Sequence, residues 1–106
     1  MLPKKNRVNK KEIDILFKEG KSVTSPNLTF RFLIKKLPVP KISVIAPKAV
    51  SKLAVKRNLL RRRGYAALEK HISKAPSLFG VFIFKKYQDD VLIIENEIEN
   101  IFNKIN

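Results

Sequence analysis

The sequence predicts an α+β fold, a single-domain sandwich of about three helices on a small mixed β-sheet. The 106 residues suit one compact domain, and hydrophobic residues make up 44% of them, enough for a modest core. Segments with helical spacing of apolar residues are interspersed with segments of strand character. They give the element order α-β-β-β-α-β-α.

The first half of the chain predicts one helix followed by two or three strands. Asn9 and Glu12 have the spacing of a capping box, so we expect the first helix at about residues 10–19, with Gly20 as its stop. Alternating apolar and polar residues, or short apolar runs bounded by prolines, then indicate the strands. These are expected at about residues 21–24, 28–35 and 42–45.

The second half predicts a long helix, a buried strand and a last helix. Residues 51–72 contain no proline, and Ser51 is the expected N-cap. A strand is expected within residues 80–86, and Asp89 or Asp90 can cap the last helix. Because the long helix lies between two strands, we expect it to cross over within one mixed sheet. Its expected core face consists of Leu53, Leu60, Gly64, Ala67 and His71.

Composition points to a polyanionic partner. Lys and Arg total 23 against 9 Asp and Glu, which gives a formal net charge of +14. Such a surplus repels itself in a compact chain, and nucleic acid is the usual partner that relieves it. Charge alone does not separate RNA from DNA or from an anionic membrane.

Several classes of protein are excluded or disfavoured. The chain has no cysteine, which excludes disulfides, thiolate catalysis and zinc fingers. No apolar run approaches the roughly 20 residues of a membrane span. The basic N-terminus is not followed by an apolar segment, so it does not resemble a secretory signal. We expect a cytoplasmic protein with no membrane partner.

The cationic residues are concentrated in two segments. Acids concentrate near the other end of the chain, at residues 89–99, and this asymmetry indicates a binding face. One basic segment, near the N-terminus, contains Lys4, Lys5, Arg7, Lys10 and Lys11. The other contains no acid and includes Lys48, Lys52, Lys56, Arg57, Arg61, Arg62 and Arg63.

Helix geometry sharpens this hypothesis for the long helix. Asn58, Arg61, Arg62 and Tyr65 follow i, i+3, i+4, i+7 spacing and share one face. Arginine forks match phosphate oxygens, Asn58 can bond a sugar or base edge, and Tyr65 can stack. The alternative is an ordinary solvated basic surface. A DNA-binding helix is less favoured, because strands rather than a helix precede this segment.

Residues 47–65 resemble the signature of the bacterial ribonuclease P protein component, with Arg57-Asn58 and Arg61-Arg62 as the core of the match. That family has a Lys-rich turn after a strand and then a basic helix. Three positions depart from the family pattern. Ala49 replaces the second Lys of a pair, Leu59 replaces the third residue of Arg-Asn-Arg, and Tyr65 replaces an Arg.

The resemblance implies that residues 1–106 form a single RNA-binding domain with an unusual left-handed βαβ crossover. It implies that the catalytic RNA subunit is bound by Lys48, Lys52, Lys56, Arg57, Asn58, Arg61, Arg62 and Tyr65. It also implies a cleft for the 5′ leader of precursor tRNA, lined by Ile13, Phe17, Thr29, Arg31 and Leu33. Plain core packing is an equal alternative for Ile13 and Phe17.

No catalytic or metal-binding residue is predicted in the protein. His71, the only histidine, falls on the expected core face, and helix capping accounts for Asp89 and Asp90. The resemblance implies that the RNA subunit, with bound Mg²⁺, removes the 5′ leader of precursor tRNA hydrolytically. The implied partners are therefore that RNA and precursor tRNA, with no small-molecule substrate. The alternative is a non-catalytic ribosomal or general structured-RNA-binding protein.

Overall fold

The computed structural model describes residues 7–105, so Lys4 and Lys5 of the N-terminal basic segment lie outside the described residues. The predicted element order is confirmed, and a short 3₁₀ turn, Ile72–Lys74, follows the long helix. The elements are α1 (Lys10–Glu19), β1 (Lys21–Thr24), β2 (Leu28–Ile34), β3 (Lys41–Ile45), α2 (Ala54–His71), β4 (Leu78–Phe84) and α3 (Val91–Ile105).

The four strands form one mixed sheet in the order β1-β2-β4-β3. β2 pairs antiparallel with both β1 and β4, and Phe30 lies opposite Phe82 in the β2–β4 register. β3 pairs parallel with β4, with Val44 beside Phe82. Since α2 connects these two parallel strands, the predicted crossover within a mixed sheet is confirmed. Its left-handedness stays a prediction.

The two faces of the sheet carry different residues because side chains alternate along each strand. On β2, Leu28, Phe30 and Phe32 are buried in the main core with α2 and α3. The alternate residues of the strand face the other side, where α1 packs. A smaller cluster of Val8, Leu16, Phe79 and Val81 fills the space beneath α1.

An aromatic cluster joins α3 to the sheet. The rings of Phe30 and Phe82 stack with centroids 4.2 Å apart, and Phe102 of α3 meets them edge-on at 6.0 and 5.8 Å. Gly80 makes room for this arrangement, since a Cβ there would lie 2.7 Å from Cε1 of Phe30. These contacts fix the position of α3 over β2 and β4.

Side-chain caps set the starts of α1 and α3. Asn9 Oδ1 accepts the Glu12 N–H and Glu12 Oε1 accepts the Asn9 N–H, each at 2.9 Å, so the predicted capping box is confirmed. Asp90 Oδ1 accepts the Leu92 N–H at 2.9 Å, which places Asp90 as the cap of α3.

Helix α2 begins two residues later than predicted, with its N-cap at Leu53 in place of Ser51. The Val50 N–H donates to Pro47 O at 3.1 Å, and Ser51 Oγ accepts the Leu53 N–H at 3.2 Å. Ser51 thus closes the turn before the helix, and the expectation that it is the N-cap is wrong: Leu53 takes that place without a side-chain capping bond. Leu53 is 57% exposed, so its assignment to the core was also wrong.

Most of the other residues of the expected core face of α2 are buried. Leu60, Gly64 and Ala67 are buried as predicted, and His71 is half-buried. The fold therefore positions α2 so that its middle meets the sheet, whereas residues 54–59 contain no buried side chain.

Candidate nucleic-acid interface

The turn before α2 and the first half of α2 carry most of the residues predicted to bind RNA. Because this stretch extends beyond the core, its side chains stand in solvent: Lys48, Lys52, Lys56, Asn58 and Arg62 are exposed. Within residues 7–105, no ion pair to a carboxylate involves Lys48, Lys52, Lys56, Arg57, Arg61 or Arg62. We call the turn and residues 54–62 the basic surface.

The second half of α2 differs because the acids of α3 lie beside it. Lys70 Nζ lies 3.0 Å from Glu95 Oε1. Lys74, just beyond the helix, lies 3.5 Å from Glu99, and His71 Nδ1 lies 3.9 Å from the same carboxylate. Acidic residues of the protein thus neutralise the C-terminal half of α2. The positive potential of its N-terminal half is directed at solvent.

Arg57 has a structural part in the basic surface. Its Nη1 donates to the carbonyl oxygens of Ser51 at 2.9 Å and Lys52 at 3.0 Å. The guanidinium thereby ties the first turn of α2 to the turn that precedes it. Its predicted contact with RNA stays a prediction, and the bonds fix where Lys52 stands relative to the helix.

Tyr65 does not offer a ring for stacking as predicted. It is 4% exposed, and its hydroxyl accepts the Val44 N–H at 3.2 Å. Asn58 precedes the point where α2 reaches the sheet, whereas Tyr65 lies over β3, so residues on one helical face differ in exposure. The expectation that Tyr65 is an exposed stacking surface is therefore wrong.

The ring of Tyr65 instead supports two arginines. The Cζ atoms of Arg7 and Arg61 lie 5.8 and 5.9 Å from its centroid, at cation–π distance. A cleft of about 350 Å³ beside the ring is lined by Arg7, Val8, Asn9, Ser43 and Tyr65. The structure thus brings one residue of the N-terminal basic segment to the edge of the basic surface.

The other flank of α2 packs against Tyr87. Lys56 Nζ lies 5.8 Å from that ring centroid, and Arg63 Nη1 donates to the Tyr87 hydroxyl at 3.3 Å and to Asp89 Oδ1 at 3.2 Å. Arg63 therefore does have an acidic partner, 26 residues away. Local sequence could not reveal this pairing, because it depends on how α3 packs.

The five residues predicted for the leader cleft lie together on the α1 side of the sheet. Ile13 and Leu33 pack against the small cluster beneath α1, whereas Phe17 is 49% exposed. Thr29 is half-buried on the same strand face as Arg31 and Leu33. Ile13 is thus partly a core residue, as its alternative had it, while Phe17 borders open space.

Sequence reasoning missed two apolar residues on this side of the sheet. Ile45 of β3 and Ile83 of β4 pack partly buried against the same small cluster. The alternation of side chains along β4 could have identified Ile83. It is two residues from Val81, which is buried in that cluster, so both face α1. They extend the apolar floor beside Thr29, to which Ile83 is paired in the sheet.

Arg31 is bound within the protein. Its Nε donates to Leu16 O at 3.1 Å, and its Nη2 donates to Phe17 O at 3.1 Å and to Gly20 O at 3.0 Å. Its Nη1 donates to Ser22 Oγ at 3.0 Å. The guanidinium thus caps the carbonyl end of α1, where a cation is favoured, and holds that helix on β2.

Neither a membrane-spanning helix nor a metal-binding cluster is found within residues 7–105. No helix in this range is long and apolar enough to cross a membrane. Nor do three or more His, Asp or Glu side chains of the described part come together as a group that could hold a metal ion.

The sequence pattern of the Ribonuclease P family matches residues 2–106, which is nearly the whole chain. The chain belongs to the Ribonuclease P family. Membership makes it a subunit of ribonuclease P, the endonuclease of tRNA 5′ processing, and gives it RNA-binding character. A search of curated proteins finds no matching relative.

Solved ribonuclease P proteins share the fold. The Staphylococcus aureus RNase P protein at 2.0 Å matches with a TM-score of 0.79 and 20% identity over 94% of each chain. The Thermotoga maritima protein in complex with 1-(4-fluorophenyl)-2-thiourea matches with a TM-score of 0.83 and 19% identity, over 94% of this chain and 100% of that one. At such identities the likeness concerns the fold.

Proposed function

We propose that this subunit binds the catalytic RNA of ribonuclease P through its basic surface and the 5′ leader of precursor tRNA beside α1. In doing so it assists Mg²⁺-dependent removal of the leader, with the phosphodiester hydrolysis carried out by the RNA. The Mg²⁺ belongs mainly to the RNA subunit in this proposal, and no protein side chain is assigned to the reacting phosphate.

One observation carries the proposal for the RNA subunit. The cations of the turn and of the first half of α2 have no carboxylate partner within residues 7–105, whereas Lys70 at the other end of the helix does. Unpaired lysines and arginines on a protruding helix attract phosphates, and each contact releases counterions from the RNA. Arg62 and Asn58 are exposed on the basic surface and can reach sugar and phosphate oxygens.

The α1 side of the sheet suits a single strand better than a duplex. Its open part is an apolar floor around Ile83 with the Phe17 ring at its border, and single-stranded nucleic acid binds such surfaces through its bases. Thr29 adds a hydroxyl. Arg31 contributes positive charge there, although its donors are engaged with α1.

A competition experiment tests the proposal against a general RNA-binding protein and against a DNA-binding protein. Labelled bacterial ribonuclease P RNA is bound to the chain at physiological ionic strength. Three unlabelled competitors are added: the same RNA, a ribosomal RNA fragment of equal length, and duplex DNA. We expect only the ribonuclease P RNA to compete at nanomolar concentration. Equal competition by the ribosomal fragment would favour the alternative and contradict the specific function.

The leader site is tested with the reconstituted holoenzyme. Precursor tRNA should bind more tightly than mature tRNA, and shortening the leader to one nucleotide should remove the difference. If the protein raises the affinity for both tRNAs equally, the leader does not bind to the protein.

A further inference from the structure

An exposed line along α2 begins with two apolar residues. Val55 is 75% exposed and Leu59 is 42% exposed, and they lie one helical turn apart on the same face. Arg62 and Ala66 continue this line toward the middle of the helix, and both are exposed. We call Val55 and Leu59 the apolar ridge.

Cationic residues flank the ridge on both sides and are held by aromatic rings of the protein. On one side Arg61 rests against Tyr65, and on the other Lys56 rests against Tyr87. The surface presented to a partner is therefore a short aliphatic strip with a cation on either side and Arg62 at its end.

A folded RNA complements this pattern. Its phosphates match the flanking cations, and an unpaired nucleobase offers a flat apolar face to the strip between them. Asn58, exposed and next to Leu59 in sequence, has the donor and acceptor that a base edge requires. An apolar protein partner would match the ridge but would leave the cations on both sides without counter-charges.

We propose that Val55 and Leu59 pack against the face of an unpaired base in the ribonuclease P RNA while the flanking cations contact its phosphates. This inference rests on the proposed function. It assigns the ridge a role in selecting a site on the RNA that does not depend on charge.

The test compares RNA affinity and its salt dependence in three variants. In Val55→Ser/Leu59→Ser, we expect the affinity for ribonuclease P RNA to fall roughly tenfold, as the loss of partial aliphatic burial implies. The slope of log affinity against log salt should not change. In Arg62→Ala, the slope should become shallower by about 0.7–0.9 because one phosphate contact is lost. The control is Ile34→Ser, at the end of β2, since Ile34 is 60% exposed, between the values of Val55 and Leu59; this variant should bind as the wild type does.

Base contact has its own signature. Wild-type protein should protect at least one unpaired base of the RNA from dimethyl sulfate, and the double-serine variant should not. Unchanged affinity in that variant, or a shallower salt slope, would overturn the inference. So would loss of self-association by light scattering with RNA affinity intact, since the ridge would then bind a second copy of the chain.

Different results would contradict the role of the ridge and the proposed function. If wild-type protein shows no preference for ribonuclease P RNA, the proposed function is wrong. If wild-type protein prefers that RNA and the serine variant does so equally well, only the role of the ridge is wrong.

Discussion

Arg31 shows how one side chain can hold a helix on the sheet. Its guanidinium donates to the carbonyl oxygens of Leu16, Phe17 and Gly20 and so fixes the end of α1 on β2. Since α1 forms one wall of the proposed leader site, the place of that wall depends on these bonds.

Replacing Arg31 separates positioning from charge. We expect Arg31→Lys to lower the free energy of unfolding by about 1–3 kcal/mol, because a lysine cannot bond three carbonyl groups in this geometry. The preference of the holoenzyme for precursor over mature tRNA should fall as well, although the charge is kept. Urea unfolding and tRNA binding measure the two effects. Full retention of the precursor preference in Arg31→Lys would mean that charge alone acts on the leader.

Glu97 is a second residue whose role is set by tertiary contacts. This carboxylate is buried on α3 and accepts hydrogen bonds from the Asn27 N–H at 2.8 Å, from the Asn27 amide and from the Ser25 hydroxyl. It therefore clamps the β1–β2 turn to α3.

Glu97→Gln should cost about 1–3 kcal/mol of stability, because its NH₂ group would face donors in place of an acceptor oxygen. Glu99→Gln is the matched control, since Glu99 is on the same helix but 40% exposed at its side chain. Urea denaturation of both proteins measures the difference. Equal stability of the two variants would show that the clamp contributes nothing.

Close packing of α2 on the sheet depends on Gly64. A Cβ at this position would lie 2.7 Å from Val44 Cγ1 and 3.0 Å from Phe84 Cε2. The glycine therefore lets the middle of the helix approach β3 and β4.

Gly64→Ala gives a prediction whose sign is informative. An alanine in an exposed helix position stabilises by about 1 kcal/mol over glycine. Here we expect a loss of about 1–3 kcal/mol, because overpacking outweighs helix propensity. Adding Val44→Ala should recover part of the loss, and thermal unfolding of the single and double variants measures this. A more stable Gly64→Ala protein would contradict the close approach.

The two ends of α2 should differ in their effect on RNA binding. We expect Arg61→Ala to weaken binding of ribonuclease P RNA and to flatten its salt dependence, since Arg61 has no carboxylate partner within residues 7–105. Lys70→Ala is the control, because Lys70 lies on α2 and its Nζ is 3.0 Å from Glu95 Oε1. Filter binding over a range of salt concentrations measures both. Equal losses in the two variants would mean that net charge, rather than the basic surface, determines binding.

Local sequence patterns predicted most of the helices and strands. The features that they did not predict depend on tertiary packing. The capping box at Asn9 and the alternation along β2 lie within a few residues, so sequence revealed α1 and the strands. The late start of α2 was missed because Ser51 bonds within a turn instead of capping a helix. The predicted exposure of Tyr65 failed for a related reason: helical periodicity does not reveal where along its length a helix leaves the sheet.

In the whole molecule, the acids of α3 lie beside the second half of α2 rather than the first. The net charge of +14 indicated a polyanion, and the acids near the C-terminus indicated asymmetry. In the fold, Glu95 and Glu99 neutralise the second half of α2 and the turn after it, and Glu97 holds a turn. Along α2, the unneutralised charge thus remains on the first half of the helix, which extends beyond the core into solvent.

Cleavage of precursor tRNA at low Mg²⁺ tests this account most directly. Bacterial ribonuclease P RNA is assayed at a Mg²⁺ concentration where it is nearly inactive alone, with and without the purified chain at physiological ionic strength. We expect the chain to increase the rate of cleavage at the mature 5′ end at least tenfold, and Arg61→Ala/Arg62→Ala to lose most of the increase. An unchanged rate with the wild-type chain would contradict the account.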